Sequence, residues 1–179
     1  CIRDRQLVRR IIHFVSRDAM DIETFSDKTA SQFVESLNIV TIPQLYRLTI
    51  DELLSLNKFK QKKAQNLLSA IERSKRRPLS SFLFALGIPN VGIKTARILS
   101  KRFLTLKAVR RAGYDELIAI KDIGDIVARG IVDFFSDESI SSAIDEILSY
   151  GVKPEDEESG EIQSSIAGKT IVVTGLSLI

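Results

Sequence analysis

Tryptophan is absent from this chain of 179 residues, and cysteine, methionine and histidine occur once each. A single cysteine, Cys1, excludes an internal disulfide framework and any multi-thiolate metal site built within the chain. With no tryptophan and three tyrosines, there is no stacking platform of the kind that binders of unpaired bases use. The apolar runs are only a few residues long, far short of the ~20 that a membrane-spanning helix needs. The opening residues, with Arg3, Asp4, Arg5, Arg9 and Arg10, do not read as a signal peptide. Apolar residues make up 44% of the chain, and a chain of this size buries roughly 70% of the surface it exposes when unfolded. The expectation is a soluble, cytosolic protein with a core that needs no staples.

The net charge of +3 conceals a strong asymmetry. Lys58 to Arg77 holds eight Lys/Arg and one acid, Glu72, and Lys94 to Arg111 holds seven Lys/Arg and no acid. Asp115 to Glu161 reverses the balance, with fourteen acids against Lys121, Arg129 and Lys153. Such a division suggests a surface facing a polyanion, followed by an acidic, solvated stretch.

The chain also repeats. Leu86-Gly87-Ile88-Pro89-Asn90-Val91-Gly92-Ile93-Lys94-Thr95-Ala96 shares its grammar with Ile120-Lys121-Asp122-Ile123-Gly124-Asp125-Ile126-Val127-Ala128: an apolar residue, Gly, three variable residues, Ala. Two earlier copies, around Phe59 to Ala64 and Phe25 to Ala30, carry Lys60 and Ser26 where the glycine stands. The equivalent positions 26, 60, 92 and 124 are separated by 34, 32 and 32 residues. After each turn a helical stripe follows: Ala30, Phe33, Val34, Leu37; Ala64, Leu67, Leu68, Ile71; Ala96, Leu99, Phe103; Ala128, Ile131, Phe135. Leu79, Phe82, Leu83 and Leu86 form another before the third turn, and Pro78 fits the opening of that helix. The region from Ser16 to Tyr150 therefore reads as all-helical, in four helix–turn–helix units, with nothing like a strand before Gly168. The small alanine lets the second helix approach its partner. The glycine has two candidate reasons, a positive φ in the turn or room for a ligand at the bare backbone.

A turn leading into a helix start is a ready anion site, because the first N–H groups lack intrahelical partners and the helix dipole favours negative charge. These residues resemble the helix-hairpin-helix motif, which binds the DNA backbone without reading sequence. The likeness is strongest at Val91-Gly92-Ile93-Lys94 and Ile123-Gly124-Asp125-Ile126. The earlier turns are either structural only or reach phosphate through Lys60, Lys62 and Lys63. The candidate DNA-binding residues are Gly92, Ile93, Lys94, Arg97, Gly124, Lys60, Lys62, Lys63 and Asn90. Asp125 is unhelpful to phosphate, and Arg73, Lys75, Arg76 and Arg77 close a helix, where cations are stabilising for local reasons.

Further stretches, His13 to Ile22, Lys63 to Leu68, Phe84 to Ile88 and Ile166 to Gly175, resemble in order and content the C-terminal part of bacterial NAD-dependent DNA ligases. The resemblance implies an all-α tandem of four helix-hairpin-helix repeats, then an acidic linker and one β-strand of a truncated BRCT domain. Its boundaries are 1–15 for the tail of a zinc module, 16–152 for the hairpin domain, 153–165 for an exposed, mobile linker and 166–179 for the strand. It further implies a parent enzyme that seals nicks in duplex DNA during replication and repair, joining 5′-phosphate to 3′-hydroxyl, with NAD, Mg and Zn as cofactors. None of these is expected on this segment, which lacks the family's Lys-x-Asp-Gly adenylation motif and should be inactive alone. Gly168-Lys169-Thr170 mimics a P-loop tail, but Gln163 stands where that motif needs glycine. Cys1 would be the last zinc ligand of the parent only, but the family places that cysteine about two residues nearer the Gln6-Leu7 pair, so either a small insertion stands between them or Cys1 is not a ligand. His13, among Ile11, Ile12 and Phe14, reads as a brace rather than a ligand. The expected partner is nicked duplex DNA, bound by a cytoplasmic, nucleoid-associated monomer. Two alternatives stay open: a tandem-hairpin module of another repair protein, and a helical repeat that binds protein.

Overall fold

Ser26, Lys60, Gly92 and Gly124, the four positions singled out by the repeat, are each the N-cap of a helix. The computed structural model describes residues 2–155, and among them are ten α-helices and one 3-10 helix. They are α1 (Ile2–Val15), α2 (Asp27–Ser36), the 3-10 helix (Ile42–Arg47), α3 (Ile50–Ser55), α4 (Gln61–Ser74), α5 (Leu79–Ala85) and α6 (Ile93–Phe103). There follow α7 (Leu106–Arg111), α8 (Tyr114–Ile118), α9 (Asp125–Ser136) and α10 (Glu138–Ser149). The helical expectation holds, with a single isolated bridge, Pro78 to Glu155, as the only β pairing among the described residues. Cys1, most of the expected acidic linker and the expected BRCT strand lie outside the described residues.

The helices pack in sequence-adjacent pairs, α1 on α2, α3 on α4, α5 on α6 and α8 on α9. Each pair is closed by the same small residue: Ala30, Ala64, Ala96 and Ala128 are all 0% exposed. Each of these alanines donates its N–H to the N-cap carbonyl four residues back, at 2.9 to 3.0 Å. A larger side chain at a position with no free surface would force the paired helices apart, which is why the spacing ends in alanine. Phe33, Leu67, Leu99 and Ile131, one turn further on, are buried in one continuous core with Phe14, Leu53, Phe82, Leu83 and Leu117. The predicted helical stripes are therefore the core-facing ones. Pro78 caps α5 rather than occupying its first turn, with φ −53 and ψ 149.

Long-range ties hold the pairs together. His13 in α1 has Nε2 at 2.7 Å from the Phe84 carbonyl oxygen in α5, and its ring stacks edge-on against Phe84 at 4.6 Å. It braces two helix pairs, as its apolar setting predicted. Arg77 donates to the carbonyl oxygens of Ala19 and Arg17, both at 3.1 Å, and so belongs to the scaffold rather than to a free cationic face. Tyr46 in the 3-10 helix lies 3.1 Å from Ser74 Oγ at the end of α4, and burial pushes its hydroxyl up to about 12. Since the Ser74 hydroxyl donates to the Ile71 carbonyl at 2.6 Å, the tyrosine is the donor of the pair.

The segment expected to be an exposed linker starts at residue 153, and Lys153 and Glu155 are indeed exposed, but their backbone is pinned: they donate their N–H groups to the Lys75 and Arg77 carbonyls at 2.9 Å, and Leu79 donates to the Glu155 carbonyl at 2.9 Å. The α4–α5 junction offers unpaired backbone groups, and Lys153 and Glu155 satisfy them with three hydrogen bonds.

Candidate nucleic-acid interface

The four turns share one backbone conformation. Two residues before each N-cap lies a residue with positive φ: Thr24 at 68°, Lys58 at 68°, Asn90 at 60° and Asp122 at 72°. Phe59, Val91 and Ile123 then point into the core, and the first turn's Phe25 is half-buried. The N-cap that follows is extended, with φ between −88 and −106. The positive-φ reason for Gly92 and Gly124 is thereby discarded, since their φ values are −88 and −90. The left-handed residue of each turn is the one two places earlier. A Cβ at either glycine would meet nothing within 4 Å, so glycine is not needed for internal packing; what its bareness leaves is an open approach to the backbone.

The helix starts differ in how they are capped. Ser26 closes α2 by accepting from the Thr29 N–H at 3.3 Å. Thr49, Thr105 and Asp137 likewise cap α3, α7 and α10 with their side chains. Lys60, Gly92 and Gly124 supply no side-chain cap, so the first N–H groups of α4, α6 and α9 are left for an outside acceptor.

Around the third turn the side chains suit an anion. Gly92, Asn90, Lys94 and Arg97 are exposed, and Ile93 is half-buried at the first helical position. Lys94, Arg97 and Lys101 lie on one stripe of α6, and none has an ion-pair partner among the described residues. In the second turn Lys60 and Lys62 are exposed, while Lys63 is half-buried with Nζ 4.0 Å from the centre of the Phe59 ring. That cation–π contact ties Lys63 to its own hairpin. Lys60, Lys62 and Lys63 belong to the α3/α4 pair, and Lys94 and Arg97 to α5/α6.

The fourth turn departs. Asp125 accepts from the Tyr114 hydroxyl at 2.7 Å and from Arg129 Nε at 2.8 Å, and Arg129 lies 5.1 Å from the centre of the Tyr114 ring. The Tyr114 hydrogen bond, and after it that of Arg129, hold the Asp125 carboxyl below its ordinary range. Ile126 occupies the place of Lys94 and is 73% exposed. Sequence reasoning flagged Asp125 but missed its partners: Tyr114 lies on a different helix, while Arg129, four residues on in α9, carries an i,i+4 spacing that could have found it. Among the described residues no group of His, Cys, Asp or Glu side chains is arranged to hold a metal, and Cys1 lies outside them.

Residues 81–144, which contain the third and fourth turns, match the helix-hairpin-helix motif family. The molecule thus contains a helix-hairpin-helix domain. Over 95% of its length the chain is 53% identical to DNA ligase 2 of Clostridium acetobutylicum. It is also 53% identical to the DNA ligase of Clostridium novyi and to that of Clostridium tetani, again over 95% of its length. It spans about a quarter of the length of these relatives. The chain is homologous to one segment of bacterial DNA ligases.

Proposed function

We propose that this chain binds the sugar-phosphate backbone of nicked duplex DNA as a monomer, without reading bases, and does so as one segment of a nick-sealing ligase. The observation that carries the reading is the third turn: an exposed, uncapped helix start at Gly92 continued by Lys94, Arg97 and Lys101, cations with no ion-pair partner among the described residues. A phosphate seated there accepts from N–H groups that otherwise face water, and the cations replace the counterions it sheds. Lys60 and Lys62 give the second hairpin a similar, weaker role, and Gly124 brings backbone alone. The same reading gives the parent NAD as adenyl donor, Mg at the transfer steps, and zinc held by Cys1 together with cysteines outside this chain. The segment by itself positions DNA and joins nothing.

The test is a fluorescence-anisotropy titration against nicked duplex at several salt concentrations. With about −0.9 in log–log slope for each neutralised phosphate, two engaged hairpins give a slope of about −4 to −6. A response that is flat in salt overturns the reading.

A further inference from the structure

At the other end of the third and fourth hairpins lies a cleft that the DNA reading does not use. It measures about 730 Å³ and is bounded by α7, the C-terminal end of α9, α10 and the strap of residues 152–154. Its apolar lining is Leu106, Phe135, Leu148 and Val152, drawn from four separate pieces of chain. Around this floor stand four cations, Lys107, Arg110, Arg111 and Lys153. Lys107 and Arg111 are exposed, sit one helical turn apart on α7, and have no ion-pair partner among the described residues. Arg110 already shows what the rim accepts, since its Nη1 donates to the Asp145 carboxylate at 2.6 Å.

Position separates this cleft from the hairpin tips. Thr105 and Leu106 follow the C-terminal end of α6, about 16 Å along the helix axis from Gly92, and Phe135 is as far along α9 from Gly124. A duplex lying across the tips leaves the cleft open. Phosphate backbone offers nothing to an apolar floor, whereas a peptide that carries both carboxylates and apolar side chains matches floor and rim together.

We propose that this cleft is a docking site for an acidic peptide segment of a partner protein, with apolar side chains against Leu106, Phe135 and Leu148 and carboxylates on Lys107 and Arg111. The surface is independent of the hairpin tips, so a partner docked there and DNA bind at once.

The probe is a fluorescein-labelled twelve-residue peptide alternating glutamate and leucine, titrated by anisotropy into the full chain. Micromolar binding is expected, weakened at least fivefold by Lys107→Glu with Arg111→Glu and unchanged by Lys94→Glu. The milder pair Lys107→Gln with Arg111→Gln, with folding checked by circular dichroism, should weaken it about threefold. Equal binding of a peptide with serine in place of leucine overturns the proposal, because the floor then contributes nothing. Loss of duplex affinity in the Lys107/Arg111 variant comparable to that in Lys94→Glu also overturns it, by making the rim part of the DNA track. A chain with Asp156, Glu157, Glu158 and Glu161 changed to amides should bind the peptide as before. Tenfold tighter binding there would identify the chain's own acidic segment as the occupant in place of a partner.

Discussion

The third and fourth hairpins have one backbone and two chemistries. Both place a positive-φ residue, a buried aliphatic residue and an uncapped glycine before the helix, and both close with a fully buried alanine. On the exposed stripe that follows, the third carries Lys94, Arg97 and Lys101, and the fourth carries Ile126, Arg129 and Asp133 at the matching places. At the first helical position Ile93 is set against Asp125. The third helix start is thus strongly cationic, while the fourth puts a carboxylate at its first helical position and spends its arginine on holding that carboxylate. The hairpin backbone is a frame. On the proposed reading, whether the frame takes an anion rests with a few side chains that leave the fold untouched.

Reversing the charges should separate the two hairpins most strongly. Lys94→Glu with Arg97→Glu should lower affinity for nicked duplex at least tenfold near 0.1 M salt and make the salt slope shallower by about 1.8, two phosphates' worth. The matched pair Ile126→Glu with Arg129→Glu should cost no more than about threefold. Anisotropy on both variants decides; equal losses would mean that the two hairpins share the load despite their chemistry.

A smaller effect is expected from capping the helix starts. Ser26 shows within the same molecule what serine does at this position, bonding its own helix's N–H. Gly92→Ser meets no steric obstacle and suits an extended N-cap, so it should leave stability unchanged or raise it by about 0.3 kcal/mol. It should nonetheless weaken DNA binding about three- to fivefold, because the new hydroxyl takes an N–H that phosphate would use. Gly124→Ser should show the same thermal stability and no loss of binding. Thermal melts beside anisotropy separate the two effects, and a Gly92→Ser chain that binds as the parent does would remove the uncapped helix start from the mechanism.

Much of this frame is visible in the sequence, because the period of 32 to 34 residues fixes the N-caps and the buried alanines before any coordinates are known. The left-handed position is hidden, since Thr24, Lys58, Asn90 and Asp122 occupy it and none is a glycine. Tertiary packing of the neighbouring Phe59, Val91 and Ile123 imposes the conformation; at Thr24 and Lys58 it costs roughly 1–2 kcal/mol and composition gives no cue, whereas Asn90 and Asp122 are of the two types that adopt it most readily. The candidate site was legible as a list of residues but not as a set of occupied and free ones. Lys63 over the Phe59 ring, Arg77 on the Ala19 and Arg17 carbonyls, and Arg129 on Asp125 are each cations withdrawn by contacts that a charge count cannot register.

The smallest predicted effect concerns the acid that sets the fourth hairpin apart. Asp125→Asn removes one negative charge from the helix start and frees Arg129, so at pH 7 it should raise duplex affinity about twofold. Its effect on stability depends on pH with a definite sign. The folded state holds the Asp125 carboxyl below its ordinary value of 3.8, chiefly through the Tyr114 hydroxyl and then Arg129. A group depressed in this way contributes stability above the unfolded value, and the contribution fades as pH falls through the folded one. The parent chain should therefore melt slightly above Asp125→Asn at pH 7, and the gap should close in acid as the carboxyl, held below its ordinary range, takes up its proton. A gap that persists or widens in acid would mean that the Tyr114–Asp125–Arg129 cluster stabilises the hairpin through packing of the tyrosine ring rather than through the carboxylate. Phosphate would then be kept away by shape, and restoring a cation with Ile126→Lys would not make the fourth hairpin behave like the third.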